Sequence, residues 1–324
     1  MSMLENISAS TNTNETVMRA SERCRVMMEA RIPSIAISMV LILVGVSGNA
    51  FVIHIYRKNS SLRSRLFYFI PWLAFFDINA IFTIGTFSIL QDIFSMCFPS
   101  LYLCQTLWFG VIFCTTTGAS CLLLIAVQRY CYVFQRPALN HRKWHRLFIS
   151  IIVTFAVVFA IPVFFIVDLR EIKVTGVNGS VCGDTLKKSK HIYKYIYFHT
   201  LLSLACINII IITILYVRIG LKTYTMSTNE NHQSSRRTPG LKFTLMYITV
   251  FVVYVVAYIP ANVIIVLPDE TKTELFHTLE NKSKLIAILV AHRMFIFSHV
   301  LNPFIFYLFH ARYRKEIQKC FGNC

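Results

Sequence analysis

Charge is what this 324-residue chain has little of. Asp, Glu, Lys and Arg together make up 15% of it, and acids are the scarcer sign, 15 against 32 bases. The histidines are scattered and no two carboxylates are placed to face each other. An enzyme is therefore not expected, and no metal-ligand set is read from the chain. No segment repeats at a period of 20–50 residues, and nothing suggests a separate soluble domain. Paired inverted repeats and matched broken helices are also missing, which argues against a transporter or channel. The first thirty residues lack the apolar core of a signal peptide, so the first apolar run is expected to act as an uncleaved anchor.

What the chain does have is apolar length, with 56% hydrophobic residues. A membrane-spanning helix needs about 20 mostly apolar residues. Seven runs qualify: Ile32–Tyr56, Leu66–Leu90, Cys104–Val127, Leu147–Val167, Tyr195–Val217, Phe243–Leu267 and Leu285–Phe309. Only two formal charges, Asp77 and Arg293, fall inside them. A soluble bundle would show amphipathic stripes rather than runs apolar all round. The expected fold is an all-α membrane protein: a seven-transmembrane helix bundle with a short amphipathic helix after the seventh span. Residues 1–31 read as an extracellular N-terminal tail, 32–309 as the bundle and 310–324 as a cytoplasmic amphipathic helix and tail.

The net charge of +17 could suggest nucleic acid, but its placement argues otherwise. Alternate connections hold Arg57, Lys58, Arg63 and Arg65; Arg136, Arg142, Lys143 and Arg146; and Arg218, Lys222, Arg236, Arg237 and Lys242. The tail adds Arg312, Arg314, Lys315 and Lys319, and the acids in all four segments are Glu230 and Glu316. By the positive-inside rule these segments are cytosolic and the N-terminus is outside. Glycosylation sequons at Asn6, Asn14, Asn178 and Asn281 fall in external segments, whereas the one at Asn59 falls inside. External Cys24, Cys97, Cys104 and Cys182 suit two disulfides. Cys114, Cys121 and Cys206 read as buried small apolar residues. Tyr313, Ile317 and Phe321 recur every four residues among cations, as in a helix lying along the inner membrane surface. Cys320 and Cys324 beyond them are palmitoylation candidates.

Two polar groups stand out against the apolar runs. Asp77, inside Leu73-Ala74-Phe75-Phe76-Asp77, is an intramembrane carboxylate that costs roughly 2.5–3.5 kcal/mol to insert, so it marks function by default. Asn49 of the first span and Asn302 of the seventh are its candidate partners. Pro303 after Asn302 frees helix carbonyls that side chains can satisfy. The second group is Gln128-Arg129-Tyr130, a guanidinium held at the inner end of the third span.

Taken in order, Asn49, Leu73…Asp77, Cys104, Arg129-Tyr130, Cys182, Tyr216, Pro260 and Asn302-Pro303 resemble the landmarks of rhodopsin-like (class A) G-protein-coupled receptors over nearly the whole chain. Cys104 precedes Arg129 by the 25 residues that family uses. The stretch from Ile125 to Tyr130 and the Tyr258-Ile259-Pro260 region are similar to invertebrate neuropeptide-type receptors. The resemblance implies a Cys104–Cys182 disulfide, with Cys24–Cys97 as the pairing left over. It assigns Gln128, Arg129, Tyr130, Tyr216, Pro260, Asn302, Pro303 and Phe306 to activation and G-protein coupling at a plasma membrane.

Several positions depart from the family's pattern. Gln128 replaces the acid beside Arg129, and Gly240 stands where many relatives carry a second acid. Tyr258 replaces a Trp, Phe306 a Tyr and Asn208 a Pro, and the fourth span lacks its Trp. Gly118 replaces a Ser that helps bind sodium, leaving Asp77, Asn302 and Ser298 as a partial site. No cofactor is expected. A charge-assisted hydrogen bond is roughly twice as strong as a neutral one, so Gln128 should tether Arg129 weakly and raise basal activity. Phe306, lacking the hydroxyl that would reach Tyr216 in the active state, pushes the other way.

The resemblance places the ligand pocket under the Cys182 loop. Val111 occupies the position where aminergic relatives carry an Asp, which argues against a monoamine. Ile296 stands where an opsin would need its lysine. Arg293 with His292 is read as a receiver for an anionic group such as a peptide C-terminus. The alternative is that Arg293 snorkels outward or pairs with an acid of the bundle. Tyr258, Tyr254, Asn262, Cys114, Thr115 and His199 are the other pocket candidates. The mixed-charge outer loops suit a peptide. The expected partners are a peptide or small anionic ligand, a heterotrimeric G protein and membrane lipid, but no nucleic acid. An atypical receptor that binds without signalling is the competing reading.

Overall fold

The computed structural model describes residues 2–59, 67–136, 142–174, 177–184, 191–228, 238–277 and 281–322, with the side chains of 2–21 outside that description. Helices dominate. They are α1 (Ser2–Lys58), α2 (Ile70–Ile93), α3 (Leu101–Val133), α4 (Arg142–Ala160), the single turn α5 (Val163–Ile166) and α6 (His191–Thr228). After these come α7 (Thr238–Val266), α8 (Asp269–His277), α9 (Lys282–His292), α10 (Phe295–Val300), α11 (Asn302–Phe309) and α12 (Ala311–Gly322).

Six of these helices are long and apolar enough to span a membrane. The seventh span is broken: Lys282–His292 and Phe295–Phe309 pass the same test only together, bent by 47° at Arg293 and Met294. The first helix starts well before the apolar run that begins at Ile32. Its first part, around Cys24 and Met27, packs beside Met96, Ile172 and Val181.

Packing begins where backbones come close. A Cβ on Gly45 would meet Ile81 at 2.6 Å, and one on Gly85 would meet Ile42 at 2.5 Å. These two glycines, one on each helix, let α1 and α2 close against each other as small residues do in membrane bundles. The largest core cluster lies toward the ends of the spans remote from the disulfide, around Tyr56, Phe69, Ile125, Tyr216, Tyr247, Phe251 and Phe306. Tyr313 of α12 is buried in it and Ile317 packs on it. Tyr313 and Ile317 thus turn toward the protein, and α12 is the short helix expected after the seventh span. The side chain of Phe321 lies outside the described residues.

At the other end an antiparallel hairpin, β1 (Val167–Val174) and β2 (Val177–Asp184), lies over the bundle. Cys104 at the start of α3 is bonded to Cys182 of β2 across 78 residues, as expected. Cys24 and Cys97 are free thiols. Cys114 and Cys121 are buried, but Cys206 is exposed, because it sits on an outward face of α6. Asn178 and Asn281 are exposed; Asn6, Asn14 and Cys324 fall outside the described side chains.

Candidate functional site

Three polar centres stand out in the bundle. The first is a cavity of about 290 Å³ beneath the hairpin, with Arg31, Arg170, Lys194, Lys272, Arg293 and His292 in its walls. Five of those six are permanent cations, and among the described residues no Asp or Glu is in the lining. Of the residues expected there, Arg293, His292 and His199 line it. The remaining expected residues are not among those lining it. Cys114 is buried against Thr83, the Thr115 hydroxyl donates to the Ile112 carbonyl, and Tyr258 packs on Tyr254 with ring centroids 4.5 Å apart. Val111 packs in the cluster around Ala80 and Ile296, and Asn262 is not among the lining residues.

Arg293 sits at the break of the seventh span and is committed to an acid. It forms a two-pronged pair with Asp92, Nη1 to Oδ2 at 2.6 Å and Nη2 to Oδ1 at 2.8 Å, and also donates to Ser34 and to the Ser88 carbonyl. Arg31 reaches the same carboxylate at 3.5 Å and donates to the carbonyls of Gln91 and Phe276. Parallel N–H···O bonds of this kind fix geometry as well as energy. Asp92 was missed in the sequence because it lies two residues past the end of the second apolar run, and Arg31 lies one residue before the first.

The second centre is Asp77, fully buried at mid-span. Asn302 Nδ2 donates to its Oδ2 at 2.7 Å, and His299 Nδ1 lies 2.7 Å from its Oδ1. His299 Nε2 is 3.3 Å from the Tyr258 hydroxyl. Pro303 has no N–H to offer the carbonyl four residues back, that of His299. Asn49 Nδ2 takes that carbonyl at 3.1 Å, so Asn49 braces the break rather than touching Asp77. The Ser298 hydroxyl donates to the Phe295 carbonyl of its own helix at 2.7 Å. A Cβ on Gly118 would lie 3.3 Å from the His299 ring. The small residue at 118 makes room for that imidazole. His299 was not singled out in the sequence, though its position three before Asn302 places the two on one helix face.

The third centre is Arg129, buried within the inner core. Its guanidinium carbon lies 4.4 Å from the Tyr247 ring centre, 5.5 Å from Phe243 and 5.9 Å from Phe67. Its Nε and Nη2 have no hydrogen-bond partner. Aromatic faces, together with a hydrogen bond to Tyr247, therefore hold the cation where an acid was missing from the sequence. Phe243 and Tyr247 lie four apart on α7, one face of one helix. Tyr216 and Phe306 are buried in the same cluster, Pro260 lies within α7, and Asn208 donates to the Ala119 carbonyl of α3 at 3.5 Å.

Comparison with known proteins decides the family: the pattern of the rhodopsin-family seven-transmembrane receptors matches residues 48–306. The chain belongs to that family. It is similar to neuropeptide Y receptor type 2 of Mus musculus, 24% identical over 289 residues, which is 87% of this chain and 74% of the relative. The same receptor of Macaca mulatta is 25% identical over 289 residues, with the same coverage. Membership of a receptor family agrees with the absence of an enzymatic constellation in the sequence.

Proposed function

We propose that this receptor binds an extracellular peptide in the cavity beneath the hairpin and activates heterotrimeric G proteins at its opposite, cytosolic end. The observation that carries this reading is a contact path between the two ends. From the cavity wall, His292 packs on Phe295 (6.3 Å between ring centres) and Phe295 on Tyr258 (5.6 Å). Tyr258 then leads both to His299 and Asp77 and, through Tyr254, into the cluster holding Phe251, Tyr247 and Arg129. A ligand that shifts the outer part of α7 about Pro260 would move Tyr247 and Phe243 off Arg129. That opens an inner cleft in which the guanidinium meets a G-protein helix, and the basic inner segments favour docking. The likeness to a neuropeptide receptor supports a peptide as ligand, as do the mixed-charge outer segments.

Phe306, which lacks the hydroxyl that would reach Tyr216 in the active state, favours a second reading, a receptor that binds ligand without signalling. A peptide and metabolite library screened on cells carrying a promiscuous G protein, with unstimulated cells included, separates the two. Ligand-evoked or basal signalling is the expected result. Saturable peptide binding with no signal in either arm would favour the silent receptor.

A further inference from the structure

Resting on the receptor reading above, we infer that the ligand carries a free carboxylate and that Arg31, rather than Arg293, is the group that receives it. Arg293 looks like the anion receiver in the sequence, but both its terminal nitrogens are engaged by Asp92. Arg31 is held differently. Its contact with Asp92 is a single one at 3.5 Å, on an oxygen that Arg293 already takes at 2.8 Å, and its other bonds go to neutral carbonyls. One carboxylate thus serves two guanidinium groups, and the buried cluster keeps one positive charge. A buried charge without full compensation is unfavourable, and an incoming carboxylate would relieve it.

Two further observations point the same way. The Nε atoms of both arginines and Nδ1 of His292 are buried with no partner, although all three residues lie in the cavity walls. The two Nε–H groups are buried donors without acceptors, which is unfavourable, and an acceptor supplied by a ligand removes that penalty. The rest of the lining repeats the sign, with Lys194 and Lys272 facing the same space and Phe94, Phe198 and Phe276 giving apolar surface beside them. Cations next to aromatic walls suit a carboxylate attached to an apolar group, such as the C-terminal residue of a peptide with an unblocked end. Arg31 belongs to α1, whose turns around Cys24 and Met27 pack beside the hairpin residues Ile172 and Val181, so the first helix becomes part of the ligand site.

The test uses N-acetyl-phenylalanine and its primary amide, which differ only in the charged group, on the purified full-length receptor in detergent. Binding is read as a saturable rise in unfolding temperature at constant ionic strength. The acid should bind about tenfold or more tightly than the amide, the size of one charge-assisted hydrogen bond. Arg31→Gln should abolish that preference, and Arg31→Lys, which keeps charge but not the planar fork, should reduce it. If Arg31→Gln does not reach the membrane, Arg31→Lys carries the test. Equal shifts from acid and amide, including none, would overturn the inference, as would a preference unchanged in the Arg31 variants. A longer peptide acid compared with its amide and with an acidic side chain in mid-sequence separates a terminal carboxylate from a side-chain one. Nucleotide exchange on a reconstituted G protein is measured separately. Acid-selective binding without any exchange would sink the signalling reading and leave this one standing, whereas exchange without acid selectivity would do the reverse.

Discussion

Replacing Tyr247 by Leu should raise basal signalling, because it removes the ring that lies nearest Arg129. The guanidinium carbon is 4.4 Å from that ring, against 5.5 Å for Phe243 and 5.9 Å for Phe67. A cation–π contact is worth about 0.5–1 kcal/mol when exposed and about 2 kcal/mol or more when desolvated. Tyr247 and Arg129 are both buried, so the upper figure applies to the nearest ring. If Arg129 must leave its aromatic cage to meet a G protein, losing about 1.5–2 kcal/mol from the resting state shifts the resting-to-active ratio roughly 10- to 30-fold. Tyr247→Phe keeps the ring but loses the hydroxyl that bonds Arg129, so it should raise basal activity less than Tyr247→Leu, and Phe243→Leu, at a more distant ring, should also fall below Tyr247→Leu. The assay is ligand-free signalling normalised to receptor at the cell surface. Unchanged or reduced basal activity in a well-expressed Tyr247→Leu receptor would refute the cage. Gln128→Asp should act oppositely and lower basal activity, since a charge-assisted hydrogen bond to Arg129 is worth about 1.5–3 kcal/mol. Combined with Tyr247→Leu it should bring basal activity back toward wild type.

Other consequences can be checked on the purified protein. Asp92→Ala strands Arg293 and Arg31 in the bundle and should cost about 3–5 kcal/mol, read as a large drop in unfolding temperature; replacing Asp92 and Arg293 together by Leu and Met should cost less than Asp92→Ala alone. His299 and Asn302 occupy both oxygens of Asp77, so exchanging sodium for choline should leave basal signalling unchanged in the wild type, and a sodium response there would show that a cation displaces His299. Burial, with Arg312 and Arg129 nearby, pushes the His310 imidazole down to about 4. The unfolded chain, with its imidazole near the ordinary value of about 6.5, therefore binds one more proton between those two pH values, and stability falls as pH falls through that window by at most about 3 kcal/mol. His310→Gln should flatten the pH dependence of the unfolding temperature, and equal slopes in both proteins would contradict it.

The spans were legible from apolar length and the Asp77–Asn302 contact from polar residues inside apolar runs, whereas the Cys104–Cys182 pairing came from the family resemblance. What stayed hidden depends on two distant segments meeting. Asp92 and Arg31 lie just outside the apolar runs, where a charge looks solvated, and only the packing of α1, α2 and α9 shows that all three charges share one dry site. The cage of Arg129 is similar. Phe67, Phe243 and Tyr247 read as ordinary core aromatics until α3 brings the cation among them. The break at Arg293 has no proline to announce it, in contrast to Pro303, whose missing N–H predicted the freed carbonyl that Asn49 takes. Expected pocket residues such as Cys114 and Thr115 are not among those lining the cavity.

The central claim is that Arg129 couples this bundle to a G protein. The most direct measurement is ligand-free nucleotide exchange on a purified heterotrimer in vesicles holding wild-type receptor, the Arg129→Ala receptor, or none. Exchange above the empty vesicles with the wild type, lost in Arg129→Ala while the variant stays folded, is the predicted result. Exchange that is equal with and without Arg129, or a wild type no faster than empty vesicles, would contradict it.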